Sequence, residues 1–246
     1  MAERFLRRAA PCRIVRKLCA KAVLEHGLIE KGDRILVACS GGKDSTVLAW
    51  ALATLKQELR LPYELAALHI STDFCACCKK GVLAARLAEW GIPFNDIDVP
   101  VIGRLKPGRR MNCYWCSTQR RTELLRYAIA GGFNKIALGH HLDDIIETFF
   151  MNLLGKGELR AMPLLLRYQK YPVTLIRPLG GIEERQIISC ADELDILKAA
   201  CTCPFGLRSK RRVIRERIAS LTGGSGAEKR RILRALGSGE RNLLEE

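Results

Sequence analysis

Short apolar runs alternate with amphipathic stretches through the first three quarters of the chain. Ile35-Leu36-Val37-Ala38-Cys39, within residues 34–39, reads as a buried strand, and residues 46–52 read as the helix that follows. Further strands are predicted at residues 64–70, 94–99, 135–138 and 173–176, with an amphipathic helix over 79–90 and helical periodicity over 117–130 and 142–154. Strands alternating with helices predict an α/β fold with a doubly wound, mostly parallel, five-stranded sheet. Near the start, Ile14, Leu18 and Ala22 set against Arg13, Lys17 and Lys21 predict a further helix. Beyond Gly180-Gly181 the pattern is helical again, over 183–194, 209–221 and 228–236. A Gly/Ser stretch at 222–226 is expected to be a flexible joint, and the tail from Gly237 to fray. The expected division is an N-terminal helical segment (1–32), an α/β domain (33–181), a helical segment (182–222) and a basic C-terminal helix and tail (223–246). No internal repeat is visible.

Composition narrows the class. The 246 residues suffice for a large core, and no run of 18 uncharged apolar residues exists, so no membrane partner is expected. The Arg-rich start has the look of a transit peptide, but it carries Glu3 and runs unbroken into a helical pattern. A structural helix and a cytoplasmic location are expected. The net charge of +15 is high for an enzyme of small metabolites and favours a polyanionic partner. The excess is concentrated. Ten basic residues lie between Leu207 and Arg234, against Glu216 and Glu228, and a second cluster (Arg104, Lys106, Arg109, Arg110, Arg120, Arg121, Arg126) flanks a cysteine pair. Solvated helix faces are the alternative reading of both. Eleven cysteines without a secretory signal point to metal or redox chemistry rather than a disulfide framework.

The chemistry starts at Ser40-Gly41-Gly42-Lys43-Asp44-Ser45, between the first strand and its helix. Glycines there let backbone N–H groups approach an anion, the helix N-terminus adds partial positive charge, and Lys43 and the serine hydroxyls add donors. That combination makes a phosphate cradle. Val37 stands where a Walker A loop would have its first glycine, so this is a different loop. In an open parallel sheet the loops at residues 40–45, 70–73 and 139–144 would converge beyond the strand ends. Gly139-His140-His141-Leu142-Asp143-Asp144 opens a helix. Its carboxylates serve either as helix-start acids or, beside a nucleotide, as Mg²⁺ ligands, with Asp44 a further candidate. Adjacent histidines do not share a helix face, which argues against a joint zinc site. Cys113-Tyr114-Trp115-Cys116 is compatible with a redox pair, half a zinc site or half an iron–sulfur site, and Cys201 and Cys203 offer the further thiolates a metal would need. Cys12, Cys19, Cys39 and Cys190 fall in apolar patterns and read as core residues. The role of Cys75, Cys77 and Cys78 is open between sulfur handling and chance.

The hexapeptide resembles the SGGxDS loop of the PP-loop ATP pyrophosphatases, which split ATP between the α and β phosphates. CSGGKDS, CYWCSTQRR, KIALGHHLDD, GELRAMP and IRPL fall in the order found in the tRNA 2-thiocytidine synthetases, and the likeness runs from about Arg13 to Ile214. The resemblance implies the adenine nucleotide alpha hydrolase-like fold, with ATP and Mg²⁺ at Ser40, Gly41, Gly42, Lys43, Asp44 and Ser45 and the adenosine near His69, Ile70, Gly139 and His140. It also implies Mg²⁺ ligation by Asp44 and Asp144, and catalytic roles for Lys43, Asp44 and Asp143. A [4Fe–4S] cluster would be held by Cys113, Cys116 and a third cysteine. The family has CxxC at that third site where this chain has CxC, so Cys203 is the match and Cys201 its rival. The partners implied are tRNA, an external sulfur donor and a second copy of the chain. The reaction implied is adenylation of a cytidine 2-oxo oxygen followed by its replacement with sulfur. Thiolation of uridine, formation of lysidine, and a zinc-stabilised RNA-binding protein without catalysis stay open beside it. Set against that resemblance, the family's longer C-terminal extension is expected to be missing here.

Overall fold

A computed structural model describes residues 10–74, 80–196 and 210–242. The expectations placed on Cys75, Cys77, Cys78, Cys201 and Cys203 therefore lie outside the described residues. In chain order the elements are α1 (Ala10–Glu25), β1 (Arg34–Ala38), α2 (Lys43–Glu58), β2 (Glu64–Thr72), α3 (Lys80–Glu89), β3 (Phe94–Val99) and α4 (Cys113–Ala130). They continue with β4 (Lys135–Ala137), α5 (Leu142–Lys156), β5 (Leu165–Arg167), β6 (Thr174–Ile176), α6 (Glu184–Glu193), α7 (Lys210–Thr222) and α8 (Gly226–Asn242).

The strands form one sheet in the order β3-β2-β1-β4-β6-β5. All neighbours run parallel except β5, which pairs antiparallel with β6 through Leu165↔Ile176 and Arg167↔Thr174. The sheet thus has six strands, one more than its hydrophobic runs predict. Three residues at an edge, two of them leucine, carry no periodicity that separates a strand from a loop.

β1 shows why its sequence is apolar without a break. Ile35 and Val37 face a core made with α1, α2 and α6 (Val15, Leu48, Leu52, Ile187), whereas Leu36 faces one made with α4 (Leu125, Ala128) and neighbouring strands. Alternate side chains leave opposite faces of a strand, so a strand covered on both sides must be apolar throughout. Burying a side chain such as Leu48 or Ile35, both fully inaccessible, stabilises the fold by roughly 1.5–3 kcal/mol. Among the cysteines read as core, Cys12, Cys19, Cys39 and Cys190 are all buried.

The chain runs from β1 to β2 and β3 on one side, then returns to place β4 on the other side of β1. The gap between the carboxyl ends of β1 and β4 is the switch point of the sheet, where open α/β folds place their ligands. Beyond α6, the helices α7 and α8 pack as a hairpin on α5. Ile214 and Ile218 join Leu142 and Ile146 in a small core, with Ile232 and Leu233 against it. The expected joint at residues 222–226 is a tight turn in which Gly223 and Gly224 take φ of +53° and +73°. The final helix continues through Gly237 to Asn242, where fraying was expected.

Candidate active site

The loop between β1 and α2 is braced by its own side chains. The Ser40 N–H donates to Ser45 Oγ (3.1 Å), the Gly42 N–H to Ser40 Oγ (3.3 Å), and the Ser45 and Thr46 hydroxyls to the Gly42 carbonyl (3.1 and 2.9 Å). Gly41 takes φ +81°, open to glycine at little cost. Gly42 caps α2 in an extended conformation, so the first N–H groups of α2 have no intrahelical acceptor. Gly139, at the end of β4, explains itself differently. A Cβ there would lie 2.9 Å from the Ser45 nitrogen and 3.1 Å from its Cα, so glycine lets the two loops touch.

Beneath these loops opens a cavity of about 340 Å³. Ser40, Asp44, Ser45, Gly139, His140 and Asp144 form its polar rim. Ala38, Leu68, Ile70, Ile136, Leu138 and Leu175 give it an apolar floor. An apolar slot beside a cradle of donors suits a planar base joined to phosphates. The remaining wall comes from α4, through Ser117, Arg120, Arg121 and Leu124. Two arginines thus stand over the cavity; their place beside the cysteine pair was the only sequence signal for them.

The same helix begins at Cys113, so the CxxC occupies its first turn rather than preceding it. Asn112 caps that turn, its side-chain oxygen accepting the Trp115 N–H at 2.9 Å, and the Trp115 indole donates to the Val101 carbonyl at 2.9 Å. Cys113 is exposed and Cys116 partly buried, unlike the four core cysteines. Tyr114 between them is 81% exposed. Cys113 and Tyr114 lie one helical turn before Ser117, the first residue of α4 to line the cavity. Two thiols three positions apart in one helical turn fit part of a metal or cluster site. Among the described residues no group of three metal-ligating side chains gathers.

Of the other sequence-predicted residues, His69, Lys43 and Asp143 sit apart from the cavity wall, whereas His140 and Asp144 line it. His69 is buried with Nδ1 2.7 Å from the Cys39 carbonyl oxygen, tying β2 to the end of β1. Lys43 Nζ lies 3.2 Å from Asp44 and donates to Glu184 Oε1 at 2.9 Å. Burial pulls the Lys43 pKa down, but the hydrogen bond to Glu184 and the charges of Asp44 and Glu184 outweigh it and leave it raised. Asp143 accepts the Glu184 backbone N–H (2.7 Å) and the Lys229 ammonium (2.7 Å). Burial pushes the Asp143 carboxyl up, and these hydrogen bonds more than compensate, so it stays ionised below the usual range. Asp144 accepts from the His141 N–H at 3.2 Å and from Arg211 at 3.3 Å. His140 is held neutral: burial first, then the Arg177 charge, lower its pKa to about 4. Its Nδ1 is buried and has no hydrogen-bond partner among the described residues, which leaves a polar atom on the cavity rim for a ligand to meet.

The C-terminal basic cluster is partly spent inside the molecule. Arg215 pairs with the buried Glu147 (2.6 Å), Arg230 with the buried Glu183 (2.6 Å), and Arg211 and Lys229 with Asp144 and Asp143. These four residues dock α7 and α8 onto the acids of α5 and α6, and so belong to the fold before they belong to any partner.

Comparison with known proteins agrees with this architecture. The model of a PP-loop domain matches residues 13–219. A tRNA-cytidine(32) 2-sulfurtransferase of Geobacter metallireducens is 36% identical over 231 residues, covering 92% of this chain and 90% of that protein. The chain belongs to the PP-loop family. A relative of the same name from Xylella fastidiosa is 38% identical over 198 residues, and there the chain spans 66% of the relative's length. Among solved structures, the U34-tRNA thiolase of Methanococcus maripaludis with its [4Fe–4S] cluster superposes with a TM-score of 0.76 at 23% identity, covering 99% of this chain and 81% of that one. The NMN synthetase of Francisella tularensis superposes with a TM-score of 0.53 at 15% identity, covering 86% and 87%. At these identities the likeness is one of fold. In this chain the loop at residues 40–45 lies at the switch point of the shared sheet.

Proposed function

We propose that this PP-loop protein is an ATP-dependent tRNA sulfurtransferase that converts a cytidine of the anticodon loop to 2-thiocytidine. The observation that carries the reading is one cavity walled on one side by the phosphate loop and on the other by the helix that bears Cys113 and Cys116. A protein that only cleaved ATP would have no need of a thiol pair at the start of that helix.

In this reading the adenine of ATP rests on Leu68, Ile70 and Leu175, and the triphosphate lies along residues 40–45. Asp44 and Asp144, both on the cavity rim, are the carboxylates placed to hold Mg²⁺ against phosphate oxygens. Lys43 and the loop N–H groups stabilise charge that develops on the pyrophosphate, which is catalysis by positioning and electrostatics. The cytidine 2-oxo oxygen attacks the α-phosphorus, the bond to the β-phosphate oxygen breaks, and an adenylated base results. Sulfur then bonds to C2, and AMP departs with the former 2-oxo oxygen. Cys113, Cys116 and a third cysteine, Cys203 or Cys201, would hold a [4Fe–4S] cluster, which when bound supplies an iron position without a protein ligand where sulfide can coordinate. The base must leave its stack to reach the cavity, and the exposed ring of Tyr114, on the helix that walls the cavity, supports an unstacked base as acceptor. Arg120 and Arg121 are placed to meet phosphates of either substrate. Sulfur comes from a separate donor, the setting is cytoplasmic, and the working form is a homodimer.

Anaerobically reconstituted protein incubated with ATP, Mg²⁺, sulfide and unmodified tRNA tests the reading. It should release AMP and pyrophosphate and yield 2-thiocytidine by nucleoside mass spectrometry. Protein that carries zinc without iron and releases no pyrophosphate would contradict it. A thiouridine product would keep the chemistry and change the base.

A further inference from the structure

Lys43, the one ammonium of the phosphate loop, points to a carboxylate outside that loop. Its Nζ donates to Glu184 Oε1 at 2.9 Å, and Glu184 is the first residue of α6, an element that follows the whole sheet. Glu184 is itself held in place. Its backbone N–H donates to Asp143 Oδ2 at 2.7 Å, and Asp143 Oδ1 accepts from Lys229 of α8 at 2.7 Å. Arg215 of α7 comes within 3.7 Å of the second Glu184 oxygen while it binds Glu147 at 2.6 Å. A chain of contacts thus runs from the C-terminal hairpin to the phosphate loop: Lys229 to Asp143 and Glu184 to Lys43 are ion pairs, and the Glu184 backbone N–H links the two acids. Both ends of the Lys43–Glu184 pair are mostly buried, with side chains 22% and 28% exposed, so the pair is shielded from salt better than a surface bridge.

A phosphate oxygen and a carboxylate oxygen make similar demands on an ammonium. We propose that Glu184 is a positioning residue that stands in for the polyphosphate: it holds Lys43 while the site is open and surrenders it when ATP arrives. The inference rests on the reading of residues 40–45 as an ATP site. It adds a function for Glu184 that neither its position nor its residue type discloses in the sequence. Binding then includes an exchange, in which Lys43 breaks one ion pair to form another, so part of the attraction of Lys43 for phosphate is offset. The benefit falls on the return step, because Glu184 recaptures Lys43 and eases pyrophosphate out.

The sign of the expected effect separates this from a structural role. Glu184→Gln keeps the size, the helix start and the backbone N–H donated to Asp143, and removes the Glu184 charge that competes for Lys43, while the Asp44 carboxylate 3.2 Å from Nζ stays in place. It should tighten ATP binding about 2- to 10-fold by equilibrium titration, a range matching a partly shielded ion pair, and tighten pyrophosphate binding in the same direction. A lost negative charge could also act through space. The same substitution in a Lys43→Met background decides that: exchange through Lys43 predicts that the tightening vanishes, and a through-space effect predicts that it persists. Unchanged or weaker ATP binding in Glu184→Gln overturns the inference, as does tightening that survives in the Lys43→Met background. Should Glu184→Gln fail to fold, Glu184→Asp, whose shorter side chain draws back from Lys43, is measured on the same scale and should tighten binding. Unaltered protein that binds no ATP would overturn both the inference and the reading beneath it. ATP binding without tightening in the variants would overturn the inference alone.

Discussion

At the scale of single residues, the site depends on contacts that a side-chain inventory does not contain. Gly139 matters because of what a methyl group would strike: the Ser45 nitrogen at 2.9 Å and the Asp44 carbonyl carbon at 3.0 Å. Backbone atoms cannot swing away as a side chain can, so Gly139→Ala must part the β4 loop from the phosphate loop. We expect a loss of about 1–3 kcal/mol by denaturant unfolding, together with weaker ATP binding. His140 provides a pH signature. Its folded pKa of about 4 lies below the ordinary 6.5, so the unfolded chain binds the proton more readily and stability falls as pH drops from about 6.5 toward 4. Above that window the group contributes no slope. In His140→Gln the melting temperature should therefore depend less steeply on pH between 6.5 and 4, and an unaltered slope would refute the assignment. The residue types of this site were legible in the sequence: Ser40, Asp44, Ser45, Gly139, His140 and Asp144 come together around one cavity. Their partners were not. Glu184 lies 141 positions from Lys43, and nothing in either local pattern links them.

At the scale of elements, the alternation of strand and helix was legible because strands covered on both faces are apolar throughout and their helices are amphipathic. The misses have local causes. β5 is a three-residue edge strand with no period to read. α4 starts four residues before the expected 117, because Asn112 caps it and draws the CxxC into the first turn. That cap matters for the cysteines: Asn112→Ala should cost about 1 kcal/mol and loosen the turn that carries Cys113 and Cys116. Iron retained per chain after anaerobic reconstitution should fall, while the ATP affinity stays as it was. The α7–α8 hairpin was expected as helices on a flexible joint. Its packing on α5 is cooperative instead, with Ile214 and Ile218 entering an apolar cluster while Arg211, Arg215, Lys229 and Arg230 neutralise acids of α5 and α6.

Over the whole molecule, the net charge of +15 says that a polyanion is a fitting partner but not where it lies. The structure divides the basic residues by task. Arg215 and Arg230 sit against buried glutamates, and removing either leaves a carboxylate unpaired in a low-dielectric setting, which is costly. Lys106, Arg109 and Arg110 are exposed on the segment that leads into α4, beside the cysteine pair. Replacing Arg109 and Arg110 together by glutamate should weaken tRNA binding at least tenfold and flatten its dependence on salt, since fewer counterions are released. The melting temperature should stay within about 2 °C, as expected for exposed positions. Arg215→Ala should instead lower stability.

The central claim is that the phosphate loop and the Cys113/Cys116 helix wall one cavity because a single reaction uses both. Nucleoside mass spectrometry of tRNA from a strain lacking this gene tests it most directly. The account predicts that 2-thiocytidine disappears and returns with the intact gene, but with neither Lys43→Met nor Cys113→Ser. Thiolated nucleosides unchanged in the deletion strain, or restored in full by Cys113→Ser, would contradict it.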